Sequence, residues 1–447
     1  MALNILTKLK NKYFLSLAGN GIMAVLGMAS AILLYRALPI KELGVWVFFT
    51  STLMLVDTAR AGFIIAPFIK FYSGTEKARS NEVVGSTWML AYLITGAVVV
   101  LNGIGLLFAN KVNDPGLAFF MKWFGLTCVA SLPYFMASCV VQAEQRFDRL
   151  LYIRFINQGM FIIMVILMII TKKATIQNVI YANILSAAVT SAYTMIKGWS
   201  MIRTVRYKTS TGLAEMFHFG KYSVGTDLSS ILFRNSDTYI INFMLGPAAL
   251  AIYNLGTRLM ILIEIPLNSF AATGMPELAA AYNNNDKSGV IQIMKKYTGM
   301  ITWALLPICL LAVVFADVAI NIIGGSKYVH TEAANVLRVF MTFALLFPVD
   351  RFLALTLNVI HKPKLNFIKL LLMLAANIIF DFVGIYAFGN VYGVALATIV
   401  PTIIAIAIGY WGMNKYYPFK LLDIYKVGYR EFMLLLSSLK MKLRKTA

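Results

Sequence analysis

Ionisable side chains that interrupt long apolar stretches are the residues of this sequence best placed to do chemistry. The segment 216–245 contains Asp227, Arg234 and Asp237 among apolar residues. At about 100° per helical residue, Arg234 lies about 20° and Asp237 about 80° from Asp227, so a helix presents all three on one face. An ionised group at the centre of a membrane-spanning helix costs about 2.5–3.5 kcal/mol, and such a face is therefore expected to line a polar cavity.

The next apolar segment, 248–273, carries a second polar face. Asn254, Arg258 and Glu264 lie on it within an arc of about 120°. Arginine suits an anionic ligand because its planar guanidinium can bind two phosphate oxygens at once. The sequence therefore predicts a substrate path that carries two cations. The residues predicted to line this path are Arg234, Arg258, Asp227, Asp237, Asn254 and Glu264.

Three further sites place charge within apolar segments or at their ends. Asp57 and Arg60 have the spacing at which a helix can pair them, and Asp350 and Arg351 are adjacent near the predicted cytoplasmic end of another helix. Both sets are predicted to be internal ion pairs or gates, and for Asp57 with Arg60 the ion pair is favoured. Asp381 either binds a coupling cation, Na⁺ or H⁺, or makes a hydrogen bond in the packing, and packing is favoured.

The cysteines and histidines do not form a metal site or a disulfide framework. All three cysteines lie inside apolar stretches, where a thiol is most often a small core residue. The three histidines are far apart and lack the i, i+4 pairing of helical zinc ligands. No metal and no cofactor is therefore predicted.

Long apolar runs indicate membrane-spanning helices. Hydrophobic residues make up 60% of the chain and charged residues 13%, which is far from the composition of a soluble domain. A helix of about 20 apolar residues crosses a hydrocarbon core of about 30 Å. The predicted fold is therefore an all-α polytopic membrane protein with about twelve transmembrane helices. The predicted spans are 13–36, 43–71, 83–109, 116–141, 150–171, 176–199, 216–245, 248–273, 295–323, 332–358, 365–389 and 391–413.

The net charge of +21 is explained by orientation in the membrane. Lys and Arg are enriched in loops that face the cytoplasm. If the N-terminus is cytoplasmic, most of the 40 Lys and Arg residues fall on that side, including those of the C-terminal tail. Both termini are therefore predicted to be cytoplasmic, and no nucleic-acid partner is needed to account for the charge.

An internal repeat divides the predicted helices into two sets of six. At one constant offset, the turn after the first helix aligns without a gap with the turn after the seventh, and Asp57 aligns with Glu264. Such a parallel repeat relates two bundles by an axis along the membrane normal and places a substrate cavity between them. The predicted domains are an N-terminal lobe (1–200), a cytoplasmic crossover linker (201–215), a C-terminal lobe (216–413) and a basic amphipathic tail (414–447).

The chain resembles a known family at four places. These are Ala18-Gly19-Asn20 in the first helix, the turn Leu38–Gly44, the turn Leu245–Tyr253 and the cytoplasmic His361-Lys362-Pro363-Lys364. They are similar to bacterial polysaccharide and O-antigen flippases of the Wzx type. These belong to the multidrug/oligosaccharidyl-lipid/polysaccharide (MOP) superfamily, which also contains the MATE-like multidrug extruders and the lipid II flippases. The resemblance spans nearly the whole chain.

The resemblance implies transport without covalent chemistry. The expected function is to flip an undecaprenyl-diphosphate-linked oligosaccharide (a repeat unit of O-antigen, capsule or exopolysaccharide) from the cytoplasmic to the periplasmic leaflet of the bacterial inner membrane by alternating access. Membrane lipids, a polymerase and glycan-export proteins are the implied partners. Arg234 and Arg258 suit a cationic cavity for the diphosphate.

Two other functions compete with this expectation. A cation-coupled multidrug exporter of the same fold would be expected to use acidic groups in the first helix, and the predicted span 13–36 has none. A membrane glycosyltransferase or polymerase would need a sizeable extramembrane loop or an exposed acidic cluster. The longest predicted connection, 274–294, is short, so an enzyme is not expected.

Overall fold

The computed structural model describes residues 12–72, 74–108, 111–112 and 114–446, and these are helical without β-strands. Contacts divide the chain into two units, Met1–Ala248 and Ala249–Ala447. In the first unit the described residues form a 3₁₀ helix, Ile202–Tyr207, and seven α-helices. These are α1 (Lys12–Ala37), α2 (Ile40–Tyr72), α3 (Lys77–Phe108), α4 (Pro115–Ala143), α5 (Phe147–Ile170), α6 (Ile176–Ile196) and α7 (Ser210–Leu245).

The second unit contains ten α-helices and three short 3₁₀ helices. The α-helices are α8 (Pro247–Thr257, which begins just before the unit boundary), α9 (Ile261–Asn283), α10 (Lys287–Val314), α11 (Ala316–Gly324), α12 (Ala333–Phe343), α13 (Phe347–Val359), α14 (Pro363–Phe388), α15 (Val391–Ala397), α16 (Ile399–Tyr416) and α17 (Asp423–Thr446). The 3₁₀ helices are Arg258–Met260, Ser326–Tyr328 and Ala344–Leu346.

The prediction of an all-α polytopic membrane protein is confirmed. Ten helical segments of the described chain are long and apolar enough to cross a membrane, and they coincide with ten of the twelve predicted spans. The other two predicted spans are α1 and α7. In α1 the described apolar stretch, Gly21–Ala37, is shorter, and in α7 charged side chains interrupt the apolar sequence. The predicted cytoplasmic N-terminus precedes Lys12 and lies outside the described residues.

Several predicted spans are broken in the middle, and proline explains two of the breaks. Proline has no N–H, so the carbonyl four residues earlier loses its helical partner. Pro401 frees the carbonyl of Ala397, where α15 ends. Pro348 frees the carbonyl of Ala344, which instead accepts the N–H of Phe347 in a tighter 3₁₀ turn between α12 and α13. Hydropathy detects the length of such a span but not its break.

The predicted connection 274–294 is wrong in length. Helix α9 continues to Asn283 and α10 begins at Lys287, so three residues join them. Asn285 turns the chain with φ 56°, and the Asp286 carboxylate caps α10 by accepting the Gly289 N–H at 2.8 Å. That hydrogen bond lowers the pKa of the Asp286 carboxyl below its usual value. Both helices extend beyond their apolar parts, and apolar runs were the signal used to place their ends.

The tail forms a helix, and its first turns pack against α10 within the second unit. The buried Lys295 ammonium lies 3.2 Å from the Asp423 carboxylate, and the Trp303 indole N–H donates to the Tyr425 carbonyl at 3.0 Å. Between these contacts the backbones of α10 and α17 cross at Gly299 and Gly428. A Cβ added to Gly299 would lie 2.2 Å from the Ile424 carbonyl oxygen, so only glycine permits this crossing.

We expect Gly299→Ala to destabilise the protein by about 1–3 kcal/mol, because the added methyl group must push α17 away from α10. Thermal unfolding of the purified protein in detergent measures the effect as a lower Tm. Gly96→Ala is the matched control, because Gly96 lies in α3 with nothing within 4 Å of the added Cβ. Equal Tm values for the two variants would contradict the crossing.

Candidate functional site

Helix α7 carries the first predicted polar face and is positioned by α2. The two helices approach closely at two glycines: an added Cβ on Gly62 would lie 2.9 Å from the Val224 Cα, and one on Gly220 would lie 2.9 Å from the Phe63 Cα. Small residues at such crossings let membrane helices pack backbone to backbone. Both helices lie in the first unit, and α7 begins at Ser210, before the start of the predicted C-terminal lobe at residue 216.

The six residues predicted to line the substrate path are divided between the two units. On α7 Asp227 and Arg234 are exposed and Asp237 is half-buried. In the second unit Asn254 is half-buried on α8, Arg258 is exposed where α8 gives way to the 3₁₀ turn, and Glu264 is exposed on α9. Among the described residues, neither Arg234 nor Arg258 forms an ion pair or donates a hydrogen bond.

Asp57 and Arg60 form a buried network on α2. The Arg60 Nη2 lies 2.8 Å from the Asp57 Oδ1 and 3.1 Å from the Ser131 hydroxyl, and Nη1 donates to the Cys128 carbonyl at 3.2 Å. The guanidinium also lies 4.4 Å from the centre of the Phe135 ring. Because three of these partners are on α4, the network fixes the position of α4 against α2.

Asp350 and Arg351 do not pair with one another. The Asp350 Oδ1 lies 2.5 Å from the Nζ of Lys369 on α14, whose side chain is buried. Arg351 donates instead to the Asn268 Oδ1 at 3.3 Å. Sequence reasoning missed Lys369 because its partner lies on another helix, and spacing along one helix carries no information about such a contact.

Asp381 is fully buried on α14. Its Oδ2 accepts a hydrogen bond from the Asn377 amide, one turn earlier, at 3.0 Å. This hydrogen bond joins one oxygen of the carboxylate to a neighbour on the same helix. The described residues contain no group of three or more His, Cys, Asp or Glu side chains that could hold a metal ion.

A polar cavity in the first unit was not predicted. It has a volume of about 240 Å³ and lies between α1, α2, α4 and α5. Its polar lining comes mostly from two helical stripes, which are Tyr134, Ser138 and Gln142 on α4, and Arg154, Asn157 and Gln158 on α5. The spacings i, i+4, i+8 and i, i+3, i+4 place each set on one face. Most of these residues are uncharged, so ionised side chains in apolar stretches, the sequence signal for a polar path, do not reveal them.

Comparison with solved structures identifies the fold. A multidrug resistance MATE family transporter of the MOP superfamily, in an inward-facing conformation, has a TM-score of 0.73 at 16% identity over 91% of this chain and 95% of its own. The lipid II flippase MurJ, in an inward closed conformation, has a TM-score of 0.74 at 16% identity over 95% and 92%. A MOP superfamily transporter from Pyrococcus furiosus has a TM-score of 0.57 at 15% identity over 92% and 94%.

The chain is thus a multi-pass membrane protein with the fold of the MOP superfamily. Its residues 34–333 match the model of a family described as polysaccharide biosynthesis protein. The chain belongs to that family of polysaccharide biosynthesis proteins. Comparison with curated protein sequences finds no match.

We expect Asp57→Ala to destabilise the protein more than Asp148→Ala. The two carboxylates are equally exposed, at 38% and 39%, but the Asp57 partner Arg60 is 4% exposed and the Asp148 partner Arg146 is 48% exposed. Removing the partner of a buried charge costs about 3–5 kcal/mol, whereas an exposed pair contributes little to stability.

Thermal unfolding of both variants in the same detergent measures this difference. Asp57→Ala is expected to lower the Tm by several degrees, while Asp148→Ala stays near the parent protein. A fall in Tm of the same size for both would show that Arg60 does not depend on Asp57.

Proposed function

We propose that this protein is a flippase that moves an undecaprenyl-diphosphate-linked oligosaccharide from the cytoplasmic to the periplasmic leaflet of the bacterial inner membrane. Membership of the polysaccharide biosynthesis family and the MOP-superfamily fold support a transporter of glycan precursors. The observation that carries the proposal concerns Arg234 and Arg258, two arginines in predicted membrane spans. Neither has an anionic partner among the described residues.

A diphosphate ligand explains why a membrane helix would contain an arginine that has no anionic partner in the protein. An uncompensated guanidinium in a membrane helix is costly, so it is expected to face a water-filled route or a ligand. A diphosphate supplies several anionic oxygens, and the planar guanidinium can bind two of them at once. Arg258 is also freed from regular helical packing, because it lies where α8 changes to a 3₁₀ turn.

Each arginine has polar residues near it in the sequence and within its own unit that suit the rest of the head group. Asp227 and Asp237 on α7, and Asn254 and Glu264 on α8 and α9, offer oxygen and nitrogen atoms that can bind sugar hydroxyls. The polyprenyl chain is apolar and can stay in the bilayer throughout. Alternating access then requires only that the head group be exposed first to one side of the membrane and then to the other.

We expect Arg234→Gln and Arg258→Gln each to reduce surface glycan by about tenfold or more. A hydrogen bond to a charged group contributes about 1.5–3 kcal/mol, which corresponds to roughly a 10- to 100-fold change in binding. Quantitative staining of surface glycan in a deletion strain complemented with each variant measures the effect, and immunoblotting of membranes checks that the protein is present.

Arg338→Gln is the matched control, because Arg338 is paired with Asp317 on α11 and lies outside the predicted path. Its surface glycan is expected to stay at the parent level. Full glycan export by both Arg234→Gln and Arg258→Gln at normal protein levels would rule out their role in binding the diphosphate.

The proposed topology places both termini in the cytoplasm. A cysteine introduced at the exposed Ser437 in α17 is then expected to react with a membrane-impermeant maleimide only in inside-out vesicles. A cysteine at the exposed Ser326, between α11 and α12, is expected to react only in right-side-out vesicles. The native cysteines are all buried and give little background. The opposite labelling pattern would invert the topology.

A further inference from the structure

The cavity between α4 and α5 is lined by polar groups whose hydrogen-bonding capacity is only partly used in the packing of the first unit. The hydroxyl of Tyr134 and the carboxamide of Gln142 make no hydrogen bond to the part of the chain that the structure describes, although both line the cavity. Both residues are half-buried and line the same space, so both groups are available to bind a ligand or water in the cavity.

Two further amides in the lining can still bind a ligand, although each already makes one hydrogen bond to protein. The Asn157 amide donates to the Thr190 hydroxyl at 3.5 Å, and the Gln158 amide donates to the Ser30 hydroxyl at 2.9 Å. Each carboxamide carries two donor hydrogens and an acceptor oxygen, so one hydrogen bond leaves most of its capacity unused. These contacts orient the two amides from behind.

We propose that this cavity binds one sugar ring of the transported glycan. The inference rests on the proposed function and assigns a second part of the same substrate. A sugar ring presents several neutral hydroxyl groups, each both donor and acceptor, and these match the donors and acceptors of carboxamides and hydroxyls. The volume of 240 Å³ equals that of about eight water molecules at roughly 30 Å³ each, which suits a single ring.

The lining favours a sugar over a lipid chain or an anion. An acyl chain would leave the Tyr134 hydroxyl and the Gln142 carboxamide without hydrogen-bond partners. An anion would meet one guanidinium, that of Arg154, among mostly uncharged groups. The rings of Tyr134 and Phe135 add flat apolar surface on which the C–H groups of a sugar ring can pack.

The wall of the cavity is fixed by the buried ion pair. Phe135 lines the cavity and is covered from behind by the Arg60 guanidinium. Arg60 also bonds to Ser131 and Cys128, one turn and nearly two turns before Phe135 on α4. A site whose aromatic surface is already held in place loses less conformational freedom when a ligand binds.

The cavity lies at the end of the helices where substrate would be loaded. Gln142 is in the last turn of α4, and Arg154 is about 10 Å from the start of α5 at about 1.5 Å per residue. The turn that joins these two helices is cytoplasmic in the proposed topology. A sugar would therefore be recognised on the side from which the glycan is exported.

The experiment uses purified full-length protein and the sugars of the polysaccharide itself. The probe is the sugar mixture released by acid hydrolysis of the surface polysaccharide that is lost when the gene is deleted. Saturation-transfer NMR detects which sugars contact the protein in detergent micelles. We expect a signal with the parent protein and a signal at least about fivefold weaker with Gln142→Leu and with Asn157→Leu.

Gln142→Leu is the more informative variant, because the Gln142 carboxamide has no described protein partner to lose and the protein is expected to fold normally. Gln177→Leu is the matched control, since Gln177 is an exposed amide on α6 outside the cavity. Arg234→Gln is expected to keep the sugar signal while it loses glycan export. Parent-level signals in both cavity variants would overturn the sugar site.

Two other outcomes separate the alternatives. If excess inorganic diphosphate abolishes the sugar signal of the parent protein, the cavity binds the phosphate moiety and the assignment to a sugar is wrong. If deletion of the gene leaves every surface polysaccharide unchanged, the proposed function itself fails, and the sugar site fails with it. Loss of glycan on deletion, with equal binding by parent and cavity variants, rejects the sugar site alone.

Discussion

A polar group inside a bilayer has no water to bind, so protein or ligand must satisfy it, and the structure is organised around this constraint. The backbone meets it by forming helices throughout the described residues. Side chains meet it by pairing: Arg60 with Asp57 and α4, Lys369 with Asp350, and the Asp381 carboxylate with an amide one turn away. Each pairing also fixes how neighbouring helices pack, so the same contacts stabilise the fold and shape the spaces between helices.

Polar groups left over from these pairings divide into two chemical classes. Arg234 and Arg258 are cations suited to a diphosphate, whereas the stripes on α4 and α5 are mostly neutral amides and hydroxyls suited to a sugar. A lipid-linked glycan carries both chemistries in one head group. Separate sites would let a flippase hold the diphosphate, which is shared by many such substrates, and read the sugar independently.

Sequence patterns predicted the elements better than their interruptions. Ten of the twelve predicted spans appear as apolar helical segments, because length and hydropathy are properties of one segment alone. The three-residue turn before α10 was not predicted, since it depends on the cap that Asp286 forms and not on the apolar run. For the site, the spacing of residues along single helices predicted charged residues such as Arg234. It did not predict Lys369 or the amides that line the cavity.

The sequence by itself determined that the chain is a helical membrane protein, because apolar length and the cost of buried charge act locally along each helix. It also determined which helices carry ionised side chains within apolar stretches. Only the tertiary structure decided that Asp350 pairs with Lys369, that α17 crosses α10 at two glycines, and that the faces of α4 and α5 enclose a cavity. These features join residues far apart in the chain. They depend on how closely two helices approach one another, and the periodicity of a single segment does not encode that distance.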